Sequence, residues 1–164
     1  GNAINGNFGL LGIPYSSATP PTGNYSYIGN AEIFINDGNA LYGLSGNSNI
    51  TFEFDGVNSK ITGEVTSLTG TKSFLDLSCR DCPASSVVDI VFPSGSLCNG
   101  NRICIEKIDL RNSTLDAPLT SGHILSSDGT FFGTGSNELG AVFSVNDTAS
   151  GSIEIRGALV GKTD

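Results

Sequence analysis

The chain has no methionine, no tryptophan, a single histidine and only eight lysine and arginine residues. These cations face 16 aspartate and glutamate residues, which gives a net charge of −8 and leaves no basic stripe to neutralise phosphates or anionic lipid headgroups. No run approaches the roughly 18 consecutive apolar residues that a membrane-spanning helix requires. We therefore expect neither a nucleic-acid partner nor direct insertion into a membrane.

The composition that remains predicts a single all-β domain. There are 22 glycines among 164 residues, and asparagine, serine and threonine are abundant, so long helices would be poorly supported while strands and tight turns are favoured. A chain of this length is enough for one domain with a proper core. Because the first residue is Gly1 rather than methionine, we expect a processed form from which any export signal has been removed.

Alternation of apolar and polar residues marks the predicted strands. The clearest are "NYSYIGNAEIFIN" and a hairpin formed by "NITFEFDG" and "KITGEVTSL". Weaker segments are "KSFLDLSC", "SVVDIVF", "ICIEKIDL", "GTFFGTG", "GAVFSVN" and "SIEIRGALVG". The one helical segment predicted is a single turn at "SNEL", capped by Ser136 or Asn137, with Glu138 near its start.

Eight or nine strands without a βαβ rhythm indicate a sandwich or a barrel, and glycines inside the strands favour the barrel. We predict an eight-stranded antiparallel up-and-down β-barrel over residues 23–164, preceded by an extended arm over residues 1–22. Glycine allows a strand to coil sharply, so sharp corners are expected at four glycines. These are Gly63, Gly133, Gly140 and Gly157.

Four cysteines lie close together: Cys79, Cys82, Cys98 and Cys104. Tetrahedral zinc usually takes two C-x2-C turns, and the five-residue gap of the second pair does not fit that pattern. The gap does suit the mouth of a hairpin whose tip is "NGNR", so two disulfides in an exported protein are favoured. Of three possible pairings we favour Cys79–Cys82 with Cys98–Cys104, and the nested pairing Cys79–Cys104 with Cys82–Cys98 stays open.

No set of residues predicts catalysis, a metal site or a cofactor. His123 is the only histidine and has no evident nucleophile partner, so we interpret it as a turn or surface residue. Tyr25, Tyr27 and Tyr42 could in principle ligate haem iron, but side chains lining a barrel are the commoner role. Glu138 lacks a second carboxylate for acid–base work, and the Asp/Asn-rich turns lack the spacing of a calcium loop. We predict a non-enzymatic protein.

Four stretches resemble the barrel domain of transferrin-binding-protein-B-like proteins, and they occur in the same order. They are "PTGNYSYIGNA" (21–31), "LYGLSGNSNITFEFDGVNSKITGEV" (41–65), "FFGTGSNELGAVFSV" (131–145) and "SIEIRGALVGK" (152–162). The positions that match the two closing motifs of that domain are Phe132, Gly133, Gly135, Glu138, Gly140, Phe143, Gly157 and Lys162. Two positions depart from it, since Leu159 replaces phenylalanine and Ala141 replaces glycine.

The resemblance implies an eight-stranded barrel of the kind found in bacterial surface lipoproteins that bind host proteins. It implies a secreted or cell-surface location, associated with the outer membrane of a bacterium. It does not extend to the lipidated N-terminal cysteine of such proteins, because the first cysteine here is Cys79. It does not extend to their handle domain either, for which we expect no room in this chain.

The leading functional hypothesis is an exported binding module whose loops contact a protein or a small ligand. The segment from Cys79 to Cys104 is the longest outside the matched motifs, so we expect it to be the recognition element and its removal to spare folding. Its candidate binding residues are Arg80, Asp81, Asn99, Asn101 and Arg102. The alternatives are an assembly subunit that forms homo-oligomers by docking its N-terminal arm on a neighbour, and a carrier of haem or lipid.

Overall fold

The structure is a computed structural model that describes residues 22–100, 102–120, 123–148 and 152–163. The arm expected over residues 1–22 lies outside the described residues except for Thr22. The described residues form nine strands and one turn of 3-10 helix at Thr134–Ser136. The strands are β1 Gly23–Asn36, β2 Ala40–Phe54, β3 Ser59–Phe74, β4 Cys82–Ser85, β5 Asp89–Cys98, β6 Arg102–Arg111, β7 Ile124–Phe132, β8 Glu138–Asp147 and β9 Ile153–Lys162. Within these ranges no helix is long and apolar enough to cross a membrane.

Eight of the strands close into the antiparallel barrel that the sequence predicted. Each of these eight strands pairs with two others of the ring, in the order β1-β2-β3-β5-β6-β7-β8-β9 and back to β1, and β3 pairs in addition with β4. The closing strand β1 holds both partners in continuous register: Ile33 lies opposite Leu44 of β2 on one side and Gly157 of β9 on the other. The sequence did not predict β4, which pairs only with the second half of β3.

Two local predictions were wrong. The segment "KSFLDLSC" is not a strand of its own: its first three residues are the end of β3, which stops at Phe74, and residues 75–81 form turns and bends. The helical turn lies at Thr134–Ser136 rather than at 136–139, and Glu138 instead begins β8. Gly133 and Gly135, both with φ of 76°, turn the chain earlier than a capped helix would.

Of the four glycines predicted as corners, Gly133 alone has a left-handed φ. Gly63, Gly140 and Gly157 lie inside strands. A Cβ atom added at Gly157 would lie 2.4 Å from the Phe143 ring, so this glycine makes room for a core side chain. The absence of a side chain therefore serves interior packing at Gly157 and chain direction at Gly133.

Aromatic rings fill the barrel interior. The ring of Phe131 lies 4.9 Å from that of Phe52 and 5.9 Å from that of Tyr27, measured between centroids. Phe92 and Phe143 meet edge to face at 5.3 Å. All five side chains are buried, and an eight-stranded barrel is just wide enough for side chains to fill. The interior is thus a packed core, and a ligand there would have to displace these rings.

The barrel has two rims, which we call upper and lower. Strands β2, β5, β7 and β9 end at the upper rim, whereas β1, β3, β6 and β8 end at the lower rim. The upper rim carries turn 55–58, the β5–β6 hairpin tip and turn 133–137. The lower rim carries turn 37–39, the connection 75–88 and the loop that begins at Asn112.

Candidate functional site

The two cysteine pairs form the local disulfides that the sequence favoured, and they lie at opposite rims. Cys79–Cys82, with Cα atoms 6.1 Å apart, follows the end of β3 at the lower rim. Cys98–Cys104, with Cα atoms 5.9 Å apart, spans the β5–β6 hairpin at the upper rim. Four sulfurs so arranged cannot surround one zinc ion.

The predicted recognition element is therefore not one loop. The segment between Cys79 and Cys104 includes β4 and all of β5, and β5 is a barrel strand paired with β3 and β6. Its Ile90 and Phe92 side chains are fully buried. The expectation that this segment can be removed without loss of folding was wrong, because its removal would open the barrel.

The structure also separates the candidate binding residues. Arg80 and Asp81 lie at the lower rim, while Asn99 and Arg102 lie at the upper rim, so no single partner surface is formed by all of them together. Asn101 lies outside the described residues. Whether any of the five contacts a partner stays a prediction.

At the upper rim the hairpin tip follows its Asn-Gly signal. Asn99 has φ of 44° and Gly100 has φ of 91°, positive values that asparagine and glycine adopt more readily than other residues. The Arg102 guanidinium forms a salt bridge with Asp128 of β7, with 2.9 Å between Nε and Oδ1. This hydrogen bond and the carboxylate charge raise the pKa of Arg102. Arg102 therefore ties the hairpin to the next strand.

At the lower rim, residues 75–81 form a compact projection that we call the knob. The N–H of Phe74 donates to the carbonyl oxygen of Cys79 at 2.9 Å, and the N–H of Leu77 donates to that of Phe74 at 3.1 Å. The N–H of Leu75 donates to the carbonyl oxygen of Asn39 at 2.9 Å, which ties the knob to the β1–β2 turn. With the Cys79–Cys82 disulfide, these bonds hold the knob in one conformation.

The knob exposes two apolar side chains. Leu75 is 52% exposed and Leu77 is 76% exposed. Leu77 has φ of 63°, in the left-handed region that aliphatic residues rarely adopt. Beside them Asp76 accepts hydrogen bonds from Ser78, which lower the pKa of this exposed carboxyl. Neither leucine was predicted as a binding residue, because "SFLDLS" alternates like a strand. The C-x2-C pair just after it indicates a closed turn.

A strap formed by residues 112–120 crosses the lower rim next to the knob. Buried carboxylates hold it: Asp37 accepts from the N–H of Asp116 at 3.3 Å, and Asp147 accepts from Thr120 through both the N–H (2.5 Å) and the hydroxyl (2.6 Å). Asp116 also accepts from the Asn39 amide at 2.9 Å. The strap and the knob are thus fastened to the same β1–β2 turn.

The boundary between strands β6 and β7, which we call the β6–β7 seam, is only partly closed by backbone pairing beneath the strap. Among the described residues β6 and β7 form one pair of opposed residues, Ile103 with Gly129, whereas β7 and β8 form nine such pairs. Below that pair the Ser127 hydroxyl accepts from the N–H of Ile105 at 2.8 Å and donates to its carbonyl oxygen at 3.0 Å. A cleft of about 940 Å³ opens there. Its mixed lining includes Glu106, Lys107, Ile108, Leu119, His123 and Leu125.

The tyrosines considered as haem ligands are engaged in other bonds. Tyr27 donates its hydroxyl to the carbonyl oxygen of Ser136 at 2.8 Å, Tyr42 donates to Asp37 Oδ2 at 3.1 Å, and Tyr25 donates to the carbonyl oxygen of Thr22 at 2.8 Å. Burial raises the pKa of Tyr27, and burial followed by the charge of Asp37 raises the pKa of Tyr42 to about 12. Because the raised pKa keeps each buried phenol protonated and its hydroxyl already donates a hydrogen bond, neither is suited to bind iron as tyrosinate.

The remaining candidates for chemistry stand apart from one another. His123 lies at the edge of the cleft, with 2.6 Å between its Nδ1 and the carbonyl oxygen of Thr120. Glu138, at the start of β8, is exposed at the other rim. Across the described ranges, no three histidine, cysteine, aspartate or glutamate side chains are grouped as a metal site requires.

The comparisons with known proteins give a fold. No family profile matches the chain, and no curated protein matches it. Among solved structures, the chain is similar to isotype 1 transferrin binding protein B from serogroup B Neisseria meningitidis, with 19% identity and a TM-score of 0.54. The similarity covers 94% of this chain and 27% of that one, so the chain spans about a quarter of the neighbour's length. The barrel is therefore similar in fold to a barrel of transferrin binding protein B.

Proposed function

We propose that this chain is an exported, non-enzymatic binding module that recognises a protein through loops at its lower rim. The solved neighbour is by its name a transferrin-binding protein, which supports a binding role at the level of the fold. Two disulfides support an oxidising, extracytoplasmic location, at the cell surface or in secretion. The ligand named for the neighbour is not assigned to this chain.

One observation carries the proposal: a packed barrel supports a disulfide-closed knob that exposes two leucines. Aromatic rings fill the interior, so the barrel acts as a rigid support rather than as a container. Apolar side chains that a rigid loop holds in solvent are suited to protein recognition, because little conformational entropy is lost when they bind. Arg80 and Asp81 lie in the same knob and supply the polar margin of the contact.

Native mass spectrometry of the protein purified gently from its own source tests the proposal. The expected species is a stoichiometric complex of the disulfide-bonded chain with a second protein. A ladder of homo-oligomers would contradict it and favour the assembly subunit. The chain alone, without an added mass, would also count against it.

Binding of a small amphipathic ligand in the β6–β7 cleft is a second candidate function. The cleft places the charged Glu106 and Lys107 beside the apolar Leu119 and Leu125, a mixture suited to a ligand with one polar end. The same spectra would show such a ligand as a small added mass on the monomer. Its loss on substitution Leu119→Asp, but not on Val160→Asp at an exposed site of β9, would place it in the cleft.

A further inference from the structure

We propose that Leu77 and Leu75 are the binding anchors of the module, and that their partner is a protein surface with an apolar pocket edged by lysine or arginine. The inference rests on the proposed function and names the chemistry of the partner. It assigns the contact to two side chains that were not among the candidate binding residues.

The backbone of Leu77 gives the first argument. Eight described non-glycine residues have a positive φ, and the other seven are serine, aspartate or asparagine. Asparagine and aspartate adopt this conformation most readily among non-glycine residues, whereas leucine there is strained. Because the side chain is 76% exposed, burial does not compensate for the strain. A residue that is both strained and apolar in solvent is better explained by recognition than by folding.

The fixed geometry of the knob gives the second argument. Leu75 and Leu77 flank one residue in a segment held by three backbone hydrogen bonds and a disulfide. The two side chains are therefore presented together, and a partner gains apolar contact without ordering a loop. Val57 offers a contrast: it is 86% exposed at the tip of the β2–β3 turn, with no disulfide and no second exposed leucine beside it.

Charge identifies the partner. Asp76 lies between the leucines and Asp81 closes the knob, and both are exposed, as is Arg80, the one cation within residues 75–81. Asp76 is held ionised by the Ser78 hydrogen bonds. With a net charge of −8 on the whole chain, the field around the knob attracts a basic surface and repels an acidic one. The pocket that takes the leucines should therefore have lysine or arginine at its margin.

A random dodecapeptide phage library, panned on the immobilised full-length oxidised protein, tests the inference. Selected peptides are labelled, and their affinities are compared by fluorescence polarisation for the wild type and for Leu77→Gly, Leu75→Ser and the control Val57→Ser. We expect peptides that combine large apolar residues with arginine or lysine, and affinity that falls about tenfold or more in either leucine variant while Val57→Ser binds as the wild type does. Added salt should weaken binding.

Unfolding of the same variants in urea separates recognition from structure. Glycine adopts a positive φ without strain, so Leu77→Gly should raise the unfolding midpoint while it removes binding. A lower midpoint would show that the leucine supports the fold and would overturn the inference. Peptides that bind all four proteins equally, peptides without cations, or no enrichment would overturn it as well. A protein complex seen by native mass spectrometry that survives Leu77→Gly would leave the proposed function standing and refute the leucine anchors.

Discussion

Alkaline pH should destabilise this protein through Tyr42, whose phenol is buried against a carboxylate. Tyr42 donates to Asp37 Oδ2 at 3.1 Å, and the same oxygen accepts from the strap at Asp116. Burial, then the Asp37 charge, raises the pKa of Tyr42 from 10.0 to about 12. An ionised Tyr42 would place two negative charges at the point where the strap is fastened.

The direction and the size of this stability change follow from the difference in proton binding between the folded and the unfolded chain. Below pH about 10 the phenol keeps its proton in both the folded and the unfolded chain, so its contribution to stability is fully present. As the pH rises from about 10 to about 12, the unfolded chain releases the proton while the folded chain keeps it, and stability falls. The pKa of Tyr42 in the folded chain lies about 2 above its value in the unfolded chain, and at about 1.36 kcal/mol for each pKa unit the loss is roughly 3 kcal/mol.

Urea unfolding of the wild type and of Tyr42→Phe, across pH about 8 to about 12, measures this loss. At the lower pH the variant should be less stable by about 1 kcal/mol for the missing hydrogen bond. The gap should close and then reverse as the wild type loses the Tyr42 contribution. Because the chain has no tryptophan, the ultraviolet difference between the two proteins isolates the ionisation of Tyr42. A difference midpoint near pH 10, or parallel stability curves, would refute the reasoning.

Two further predictions concern the packing of the barrel, and both are tested by urea unfolding. Gly70→Ala would place a Cβ atom 2.0 Å from the Gly43 carbonyl oxygen and should lower the free energy of unfolding by about 1–3 kcal/mol. In the control Gly43→Ala the Cβ would lie 3.6 Å from Phe34, so stability should change little. Equal effects of the two substitutions would contradict this. Phe131→Ala removes a buried ring 4.9 Å from Phe52 and should cost about 3–5 kcal/mol, and a cost under about 1 kcal/mol would show that the interior is not a packed core.

The sequence was sufficient to predict those strands and turns that depend only on residues close together in the chain. The alternation in "NYSYIGNAEIFIN" predicted β1, and its inward residues Tyr27, Ile33 and Ile35 are buried. The Asn99-Gly100 pair predicted the hairpin tip, since both residues tolerate the positive φ that they adopt there. The spacing of the cysteines then made the local disulfides the favoured pairing, because the cysteines of each pair are close along the chain.

Other features depend on register, which alternation does not report. Alternation shows which residues share a face of a strand, but not how far one strand slides past the next. The Cys79–Cys104 segment was therefore predicted to be a single recognition element, although β5 runs through it from the lower rim to the upper rim and separates the two disulfides. The same limit hid β4, which lies beside β3 only because the barrel places it there.

What the sequence alone determined is the barrel and its local turns, because face alternation, glycine and the Asn-Gly signal act within a few residues of the chain. The tertiary structure decided which loops share a rim, where the β6–β7 seam splits and that Leu75 and Leu77 face solvent. These features arise from closing eight strands into one ring, because closure fixes every register at once. The knob then protrudes where β3 passes the lower rim, and no local pattern in "SFLDLSC" encodes that position.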